Sequence, residues 1–320
     1  MARWIAAVAA VAMVASGTAA AAERRNLVIA SGEVAGYYYP AAGALCRVLN
    51  KDKPRGYTCV VEPSSGSAAN VAALRSGEAD LAIVQSRAAL MALQGGEGFA
   101  KDGALPDLRA LMSLHAEATV AMVRPDAGID QVATLKGKKA NLGKPGSFQR
   151  GMADAALGAA GLSEGDFGAV VELDLGEQAQ ELCEGNIDIA FYSGVHPMPE
   201  LAAAIEQCGA QPIALGGRGL DAAVRQNPWL AKTVIKGNTY DGIRDDLTVI
   251  GMRALLVGTT RLPADEVADL LRALHANFPA LARLHPVFRG VTKADGAREG
   301  ITIPLHDGAQ KFYGETGLLK

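Results

Sequence analysis

The stretch YTCVVEPSSGSAANVAALRSGEADLAIVQS, residues 57–86, predicts a strand, a turn rich in glycine and serine, a helix and a second strand. Its first segment is rich in Val and Thr, which suit an extended chain. The helical segment spaces Val71 and Leu74 by three residues, which puts both on one face. The last segment, ADLAIVQS, is an apolar run of the length of a buried strand. Alternation of strands and helices indicates a parallel α/β fold.

The same order extends to both sides of this stretch. Upstream, NLVIASG predicts a strand that ends in a glycine turn, and PAAGALCRVLN predicts a helix. Downstream, strand and helix patterns alternate again in KKANLGKPGS, FQRGMADAALGAAG, AVVELDLG, EQAQELCEGN and IDIAFYSG. The chain therefore holds two regions of similar design, and its 320 residues suffice for two hydrophobic cores.

Two longer apolar segments are suited to carry the chain between these regions. They are LRALMSLHAEATVAMVRP, around residue 115, and DLTVIGMRALLVGTT, around residue 250. We therefore expect two α/β lobes that enclose a cleft. The expected boundaries are a signal peptide at 1–22, lobe 1 at 23–115, lobe 2 at 116–249, and a return to lobe 1 at 250–320.

The N-terminus predicts export. MARWIAAVAAVAMVASGTAAAAE has an early cation at Arg3, an apolar run, and small residues at Ala20–Ala22, as in a Sec signal peptide. The alternative is a membrane anchor, but the run has the length of a signal segment and no stop-transfer pattern follows it. We expect a periplasmic protein. The formal net charge of −3 gives no basic surface for nucleic acid.

The four cysteines are expected to form disulfides, because an exported chain meets an oxidising compartment. Four cysteines allow three connectivities, and the nearest-in-sequence one pairs Cys46 with Cys59 and Cys183 with Cys208. The alternative, metal ligation, lacks a CxxC pair, and the five histidines are scattered. We expect neither a metal nor a cofactor.

Ligands of parallel α/β proteins bind beyond the carboxyl ends of the strands, where helix N-termini present unpaired N–H groups. In lobe 1, three strand-to-helix junctions supply hydroxyl, amide and backbone groups. The candidate residues there are Tyr38, Tyr39, Gly66, Ser67, Gln85 and Ser86. The competing roles are core packing for the tyrosines, helix capping for the serines and loop closure for the pair Gln85 and Ser86.

Lobe 2 offers two more junctions of the same kind. The candidates are Gly146, Ser147 and Arg150 after the strand in KKANLGKPGS, and Tyr192, Ser193 and His196 after the strand in IDIAFYSG. A cation at a helix N-terminus favours a carboxylate solute. A solvated surface role for Arg150 and a structural role for His196 are the alternatives.

Signatures of catalysis are weak. The sequence has no GxSxG elbow, no HExxH, no complete P-loop and no GxGxxG after a strand. An enzyme remains one alternative, with Ser86 or His196 as the catalytic group. We expect a binding protein rather than an enzyme.

The assembled motifs resemble the TAXI family, the solute receptors associated with tripartite TRAP transporters. The matching segments are GYYYP at 36–40, SSGSAANVAALRSGEADLAIVQS at 64–86, NLGKPGS at 141–147, AQELCEGNIDIAFYSGVHP at 179–197, and the closing IPLHDGAQKFYGETGLL. Together they span nearly the whole chain after residue 22.

The resemblance implies a type II periplasmic-binding fold and, as ligand, a small carboxylate such as glutamate or 2-oxoglutarate. It also implies delivery to an integral-membrane TRAP subunit, and we expect a monomer. One departure is that Phe148 and Gln149 stand where the family pattern has Gly-Thr. Glu33 in the first loop would repel a second carboxylate if it faced the cleft. The alternative function is a sensory module that reports its solute to a kinase.

Overall fold

The structure is a computed structural model that describes residues 25–52, 54–145, 147–213, 215 and 218–319. Its first elements are β1 (Asn26–Ala30), α1 (Tyr38–Asp52), β2 (Thr58–Glu62), α2 (Ser67–Ser76), β3 (Leu81–Gln85), α3 (Ser86–Gln94) and β4 (Leu108–Val123). The strand, turn, helix and strand predicted for residues 57–86 are confirmed. The predicted signal peptide at 1–22 lies outside the described residues.

The chain continues with β5 (Lys139–Asn141), α4 (Phe148–Ala159), β6 (Ala169–Val171), α5 (Gln178–Cys183), β7 (Ile189–Gly194), α6 (Pro199–Cys208), β8 (Gln211–Ile213), α7 (Arg218–Gln226) and β9 (Ala231–Ile235). It ends with β10 (Leu247–Thr259), α8 (Ala264–Ala276), α9 (Phe278–Leu284), α10 (Lys293–Arg298) and α11 (Asp307–Glu315). In the described part of the chain, no helix is long and apolar enough to cross a membrane.

The ten strands of the described residues belong to one hydrogen-bonded sheet, in the order β2-β1-β3-β10-β4-β7-β5-β6, with β8 paired to β4 and β9 to β10. The strands β1, β2 and β3 are parallel to one another, and so are β5, β6 and β7. Between these two sets run β4 and β10, which are antiparallel to each other and to their neighbours. The predicted α/β class is confirmed.

The two long strands connect the halves of the sheet. β4 has 16 residues and pairs with β7 and β8, while β10 has 13 residues and pairs with β3 and β9. Because β4 and β10 also pair with each other, together they join the two halves. Their shared ladder is irregular between Arg253 and Leu255, near its middle. We call the half with β1–β3 lobe 1 and the half with β5–β7 lobe 2. The expected crossings near 115 and 250 fall within these strands, and the boundaries there stay a prediction.

Buried side chains form four clusters, two in each lobe. One unites α1, α8 and α11, and another packs α2 and α3 against the sheet. In lobe 2, one cluster includes α4 and the other includes α5 and α6. The sheet is therefore covered on both faces in each lobe.

Two disulfides hold neighbouring elements together. Cys46 in α1 is bonded to Cys59 in β2, and Cys183 in α5 is bonded to Cys208 in α6. The nearest-in-sequence connectivity is confirmed. Each bond lies within one lobe, so neither restricts the movement of one lobe against the other.

Candidate functional site

A cleft of about 190 Å³ lies between the two lobes. Lobe 1 contributes side chains from α2, β3, α3 and the segment after α3, while lobe 2 contributes α4 and the segment before β9. The lining residues used below are Ser67, Gln85, Arg87, Glu97, Ser147, Phe148, Gly151, Trp229 and Met252. Because β1–β3 and β5–β7 are each parallel, the cleft lies where both sets end at their carboxyl ends.

Three helices begin at the wall of this cleft. The first residues of α2, α3 and α4 line it, through Ser67, Arg87 and Phe148. Among the described residues, no side chain caps the N-termini of α2 and α3, and Gly66 before α2 has a φ of 110°, which favours glycine. The unpaired N–H groups of these first turns and the helix dipoles attract an anion. The guanidinium of Arg87 adds a positive charge at the same wall.

A hydrogen-bonded network forms the polar floor of the cleft. The hydroxyl of Tyr38 donates to Glu117 Oε1 at 2.6 Å, and Gln85 Nε2 donates to Glu117 Oε2 at 2.8 Å. The backbone N–H of Gln85 donates to Ser67 Oγ at 3.1 Å. Ser67 and Gln85 line the cleft, whereas Glu117 is 4% exposed and lies behind them.

Burial sets the acidity of this network. It raises the pKa of Glu117, because a carboxylate loses its hydration there, and the bonds from Tyr38 and Gln85 offset part of that rise. The pKa of Tyr38 is raised well above its ordinary value by burial and by the nearby Glu117, while a hydrogen bond from Ser67 lowers it.

Contacts across the cleft join the lobes on two sides. The hydroxyl of Ser86 donates to the carbonyl of Trp229 at 3.0 Å, and the guanidinium of Arg87 lies over the Trp229 ring at 5.4 Å. Arg87 also pairs with Glu97 at 2.5 Å. At the other side, the hydroxyl of Tyr37 donates to the carbonyl of Pro197 at 3.4 Å.

The candidates predicted in lobe 1 occupy different positions. Ser67 and Gln85 line the cleft, Gly66 forms the turn before α2, and Tyr38 belongs to the floor network. Gly32 makes room for Tyr38, since a Cβ there would lie 3.0 Å from the Tyr38 Cβ. Tyr39 is half-buried beside the network. Ser86 is fully buried and bonded to Trp229, so it lies behind the wall.

The candidates predicted in lobe 2 are more dispersed. Ser147 lines the cleft and caps α4 by accepting from the Arg150 N–H at 3.1 Å, while Gly146 lies outside the described residues. The Arg150 side chain forms ion pairs with Asp154 and Glu164 of its own lobe rather than lining the cleft. Glu33 of the first loop is exposed and is not part of the cleft wall.

Tyr192, Ser193 and His196 are held by lobe 2 itself. Tyr192 is fully buried in the cluster that includes α5 and α6, and the hydroxyl of Ser193 is 2.9 Å from that of Thr119. His196 is bonded through Nδ1 to the Tyr240 hydroxyl at 2.6 Å and through Nε2 to the Ala118 carbonyl at 3.3 Å. These three side chains therefore lie within lobe 2 and outside the cleft lining, and Ser86 and His196 have separate partners. Ligand binding by Tyr192, Ser193 and His196 stays a prediction.

Sequence reasoning missed Arg87, Glu117 and Trp229. Arg87 follows directly after the predicted pair Gln85 and Ser86, so its position in the first turn of a helix was a readable signal. Glu117 interrupts the apolar run of β4, and an acid inside such a run signals a buried polar role. Trp229 lies in a connecting segment with no periodic pattern.

A second groove of about 540 Å³ lies outside the cleft, between α4 and α7. It shares Arg87, Gly151 and Trp229 with the cleft and is otherwise lined mostly by small residues, among them Gly158. Across the described residues, no group of three or more His, Cys, Asp or Glu side chains is placed to hold a metal ion.

Two α/β lobes joined by long shared strands, with a cleft at the carboxyl ends of both parallel sets, define the fold of periplasmic solute-binding proteins. The chain belongs to the NMT1-like family, whose profile matches residues 29–317.

Two solved structures show the same fold. The periplasmic sulfonate-binding protein SsuA from Methylobacillus flagellatus KT has 14% identity and a TM-score of 0.54, with 91% of this chain and 85% of that chain covered. A TctC solute-binding protein from Polaromonas, solved without ligand, has 18% identity and a TM-score of 0.55, with 81% and 87% covered.

Proposed function

We propose that the protein is an exported solute-binding receptor. It captures a small organic acid or amino acid in the cleft and delivers it to the integral-membrane subunit of a tripartite TRAP transporter. In this proposal residues 1–22 direct export to the periplasm and the receptor acts as a monomer. The assignment to the TAXI receptors rests on the motifs at 36–40, 64–86, 141–147 and 179–197.

The observation that carries the proposal is the convergence of three helix N-termini on one small interlobe cleft. The first residues of α2, α3 and α4 line it together with Arg87. The backbone N–H groups at these helix N-termini and the guanidinium of Arg87 stabilise a carboxylate in its charged form. The volume of about 190 Å³ corresponds to roughly six water molecules at ~30 Å³ each, which suits a small solute.

Capture by lobe closure supplies the signal to the membrane subunit. Trp229 of lobe 2 contacts Ser86 and Arg87 of lobe 1, so a solute between these walls favours the state in which the lobes touch. The ladder of the two long strands is irregular near Arg253, and we propose this segment as the hinge of closure. Closure changes the surface that both lobes present to the partner.

A thermal-shift screen of organic acids and amino acids tests the proposal. A solute that binds the folded state raises the midpoint of unfolding. The test variant is Gly151→Trp, because a Cβ at Gly151 points towards Arg87 Nη1 at 3.9 Å and the indole would fill the cleft. The control is Gly158→Trp in the same helix, where a Cβ meets open space outside the cleft.

We expect at least one acid to stabilise the native protein and the Gly158→Trp variant but not the Gly151→Trp variant. If no acid or amino acid stabilises the native protein, the proposed solute class is wrong. The sensory alternative is separated by reconstitution, since a receptor for transport drives solute uptake into vesicles that contain the membrane subunit.

A further inference from the structure

The donors and acceptors of the floor network are fixed by the number of protons that each side chain carries. A carboxylate only accepts hydrogen bonds, so both Tyr38 and Gln85 must donate to Glu117. The amide of Gln85 is thereby oriented with its nitrogen towards Glu117. Its carbonyl oxygen Oε1 is on the opposite side of the amide and has no hydrogen-bond partner among the described residues.

Gln85 also fixes the hydroxyl of Ser67, whose oxygen accepts from the backbone N–H of Gln85 at 3.1 Å. Ser67 and Gln85 both line the cleft. Of these two residues, Gln85 presents a carbonyl oxygen that has no partner among the described residues and can accept from a solute.

The charge behind the floor points in the same direction. Glu117 is 4% exposed, and no Lys, Arg or His side chain of the described chain forms an ion pair with it. A buried carboxylate with neutral partners alone is unfavourable unless a cation approaches it. Among the described residues that line the cleft, the one cationic side chain is Arg87, and it is itself paired with Glu97.

We infer that Glu117 is a specificity-determining residue. By orienting the amide of Gln85 it places an acceptor oxygen in the cleft floor, so that the captured solute carries an ammonium group beside its acidic group. The solute class is thus a small zwitterion, such as an α-amino acid, rather than an oxo acid or a dicarboxylate without nitrogen. This inference rests on the proposed function, with the helix N-termini and Arg87 facing the acidic group.

Matched pairs of solutes test the inference. Each pair has the same carbon skeleton: alanine with pyruvate, glutamate with 2-oxoglutarate, leucine with 4-methyl-2-oxopentanoate, and phenylalanine with phenylpyruvate. Calorimetric titration of the full-length mature protein gives the affinity ratio within each pair that binds. We expect the amino member to bind at least tenfold more tightly than its oxo partner.

The Glu117→Gln variant keeps the shape of the side chain and removes its charge. Its amide nitrogen donates hydrogen bonds where a carboxylate oxygen only accepted them. We expect its preference for the amino member to fall at least tenfold, with the oxo member bound as well as before or better. Gln85→Leu is a second variant that removes the acceptor and leaves Glu117 in place, and we expect the same loss of preference. The matched control, Glu97→Gln, removes one carboxylate of the same cleft that lies outside the network. We expect it to change the affinities for both members of a pair by the same factor.

The inference is overturned if the native protein binds both members of a pair equally, or if both network variants retain the preference. In those outcomes the solute-binding function stands. If no member of any pair binds, the proposed function fails and the inference fails with it.

Discussion

Replacing Tyr38 by Phe removes one hydroxyl and leaves the ring in place. The lost group donates to the buried Glu117 at 2.6 Å, so one carboxylate oxygen loses its only partner among the described residues. A hydrogen bond to a charged group contributes about 2 kcal/mol. In a chain of 320 residues this loss lowers the midpoint of thermal unfolding by about 3 °C.

The pH dependence of this loss identifies its cause. Burial raises the pKa of Glu117 above its value in the unfolded chain. The ionised carboxylate therefore lowers the stability of the folded protein as the pH rises from the pKa of the unfolded state through the pKa of the folded state. Without the Tyr38 hydroxyl the charged form is less stable and this cost is larger. The difference between the native protein and the variant therefore grows from pH 5 to pH 8.

Tyr39→Phe is the matched control, since the Tyr39 hydroxyl has no hydrogen-bond partner among the described residues. Its midpoint should stay within about 1 °C of the native value at every pH, as for most surface changes. Calorimetry of the three proteins across pH 5–8 makes the comparison. Equal effects of the two substitutions, or a Tyr38→Phe loss that shrinks as the pH rises, would refute the reasoning.

Three further predictions concern the cleft wall, the disulfides and His196. Trp229→Ala removes the ring beneath Arg87 and should weaken solute binding at least tenfold by calorimetry, with Trp229→Phe intermediate; unchanged affinity would remove Trp229 from the site. Replacing both cysteines of a pair by Ala should lower the free energy of unfolding, because the unfolded chain then loses a closed loop. The expected loss is about 3 kcal/mol for Cys46–Cys59, with a separation of 13 residues, and about 3.5 kcal/mol for Cys183–Cys208, with a separation of 25. Urea unfolding measures both losses, and a larger loss for Cys46–Cys59 would contradict the loop-entropy explanation. Burial lowers the pKa of His196 from 6.5 to about 4, so its neutral ring contributes fully to the stability of the folded protein above pH 6.5. This stability is lost as the pH falls from 6.5 towards 4. Over that range the midpoint of thermal unfolding of His196→Gln should therefore fall less steeply than that of the native protein.

The sequence predicted the fold well because its signals are local. Residues 57–86 carry their own turn chemistry, with Gly66 at a positive φ, and their own apolar spacing. The same holds for the disulfides, since each pair joins elements that follow one another closely. A single continuous sheet was not predicted, because the pairing of β4 with β10 joins segments more than a hundred residues apart.

The site was predicted in part. Ser67, Gln85 and Ser147, which the strand-to-helix junctions predict as ligand-binding residues, line the cleft, and their contact with a solute stays a prediction. Tyr192 lies in the core because lobe 2 is covered on both faces of the sheet, so alternate residues of β7 are buried on either side. The orientation of such a strand depends on packing between lobes and helices, which a single junction motif does not report.

Local sequence patterns do not predict contacts between residues that lie far apart in the sequence. Arg150 matched an anion-binding motif, but Asp154 and Glu164 engage its guanidinium on the surface of its own lobe. Glu117 acquires its role only when α1 brings Tyr38 to it, 79 residues away in sequence. Trp229 accepts a hydrogen bond from Ser86 across the cleft, at a separation of 143 residues.

A crystal structure with the most stabilising solute tests the location of the site most directly. We predict electron density for the solute in the cleft, within hydrogen-bond distance of the first backbone N–H groups of α2 or α3 and in contact with Trp229. Density in the outer groove between α4 and α7, or on the surface of one lobe alone, would contradict capture between the lobes.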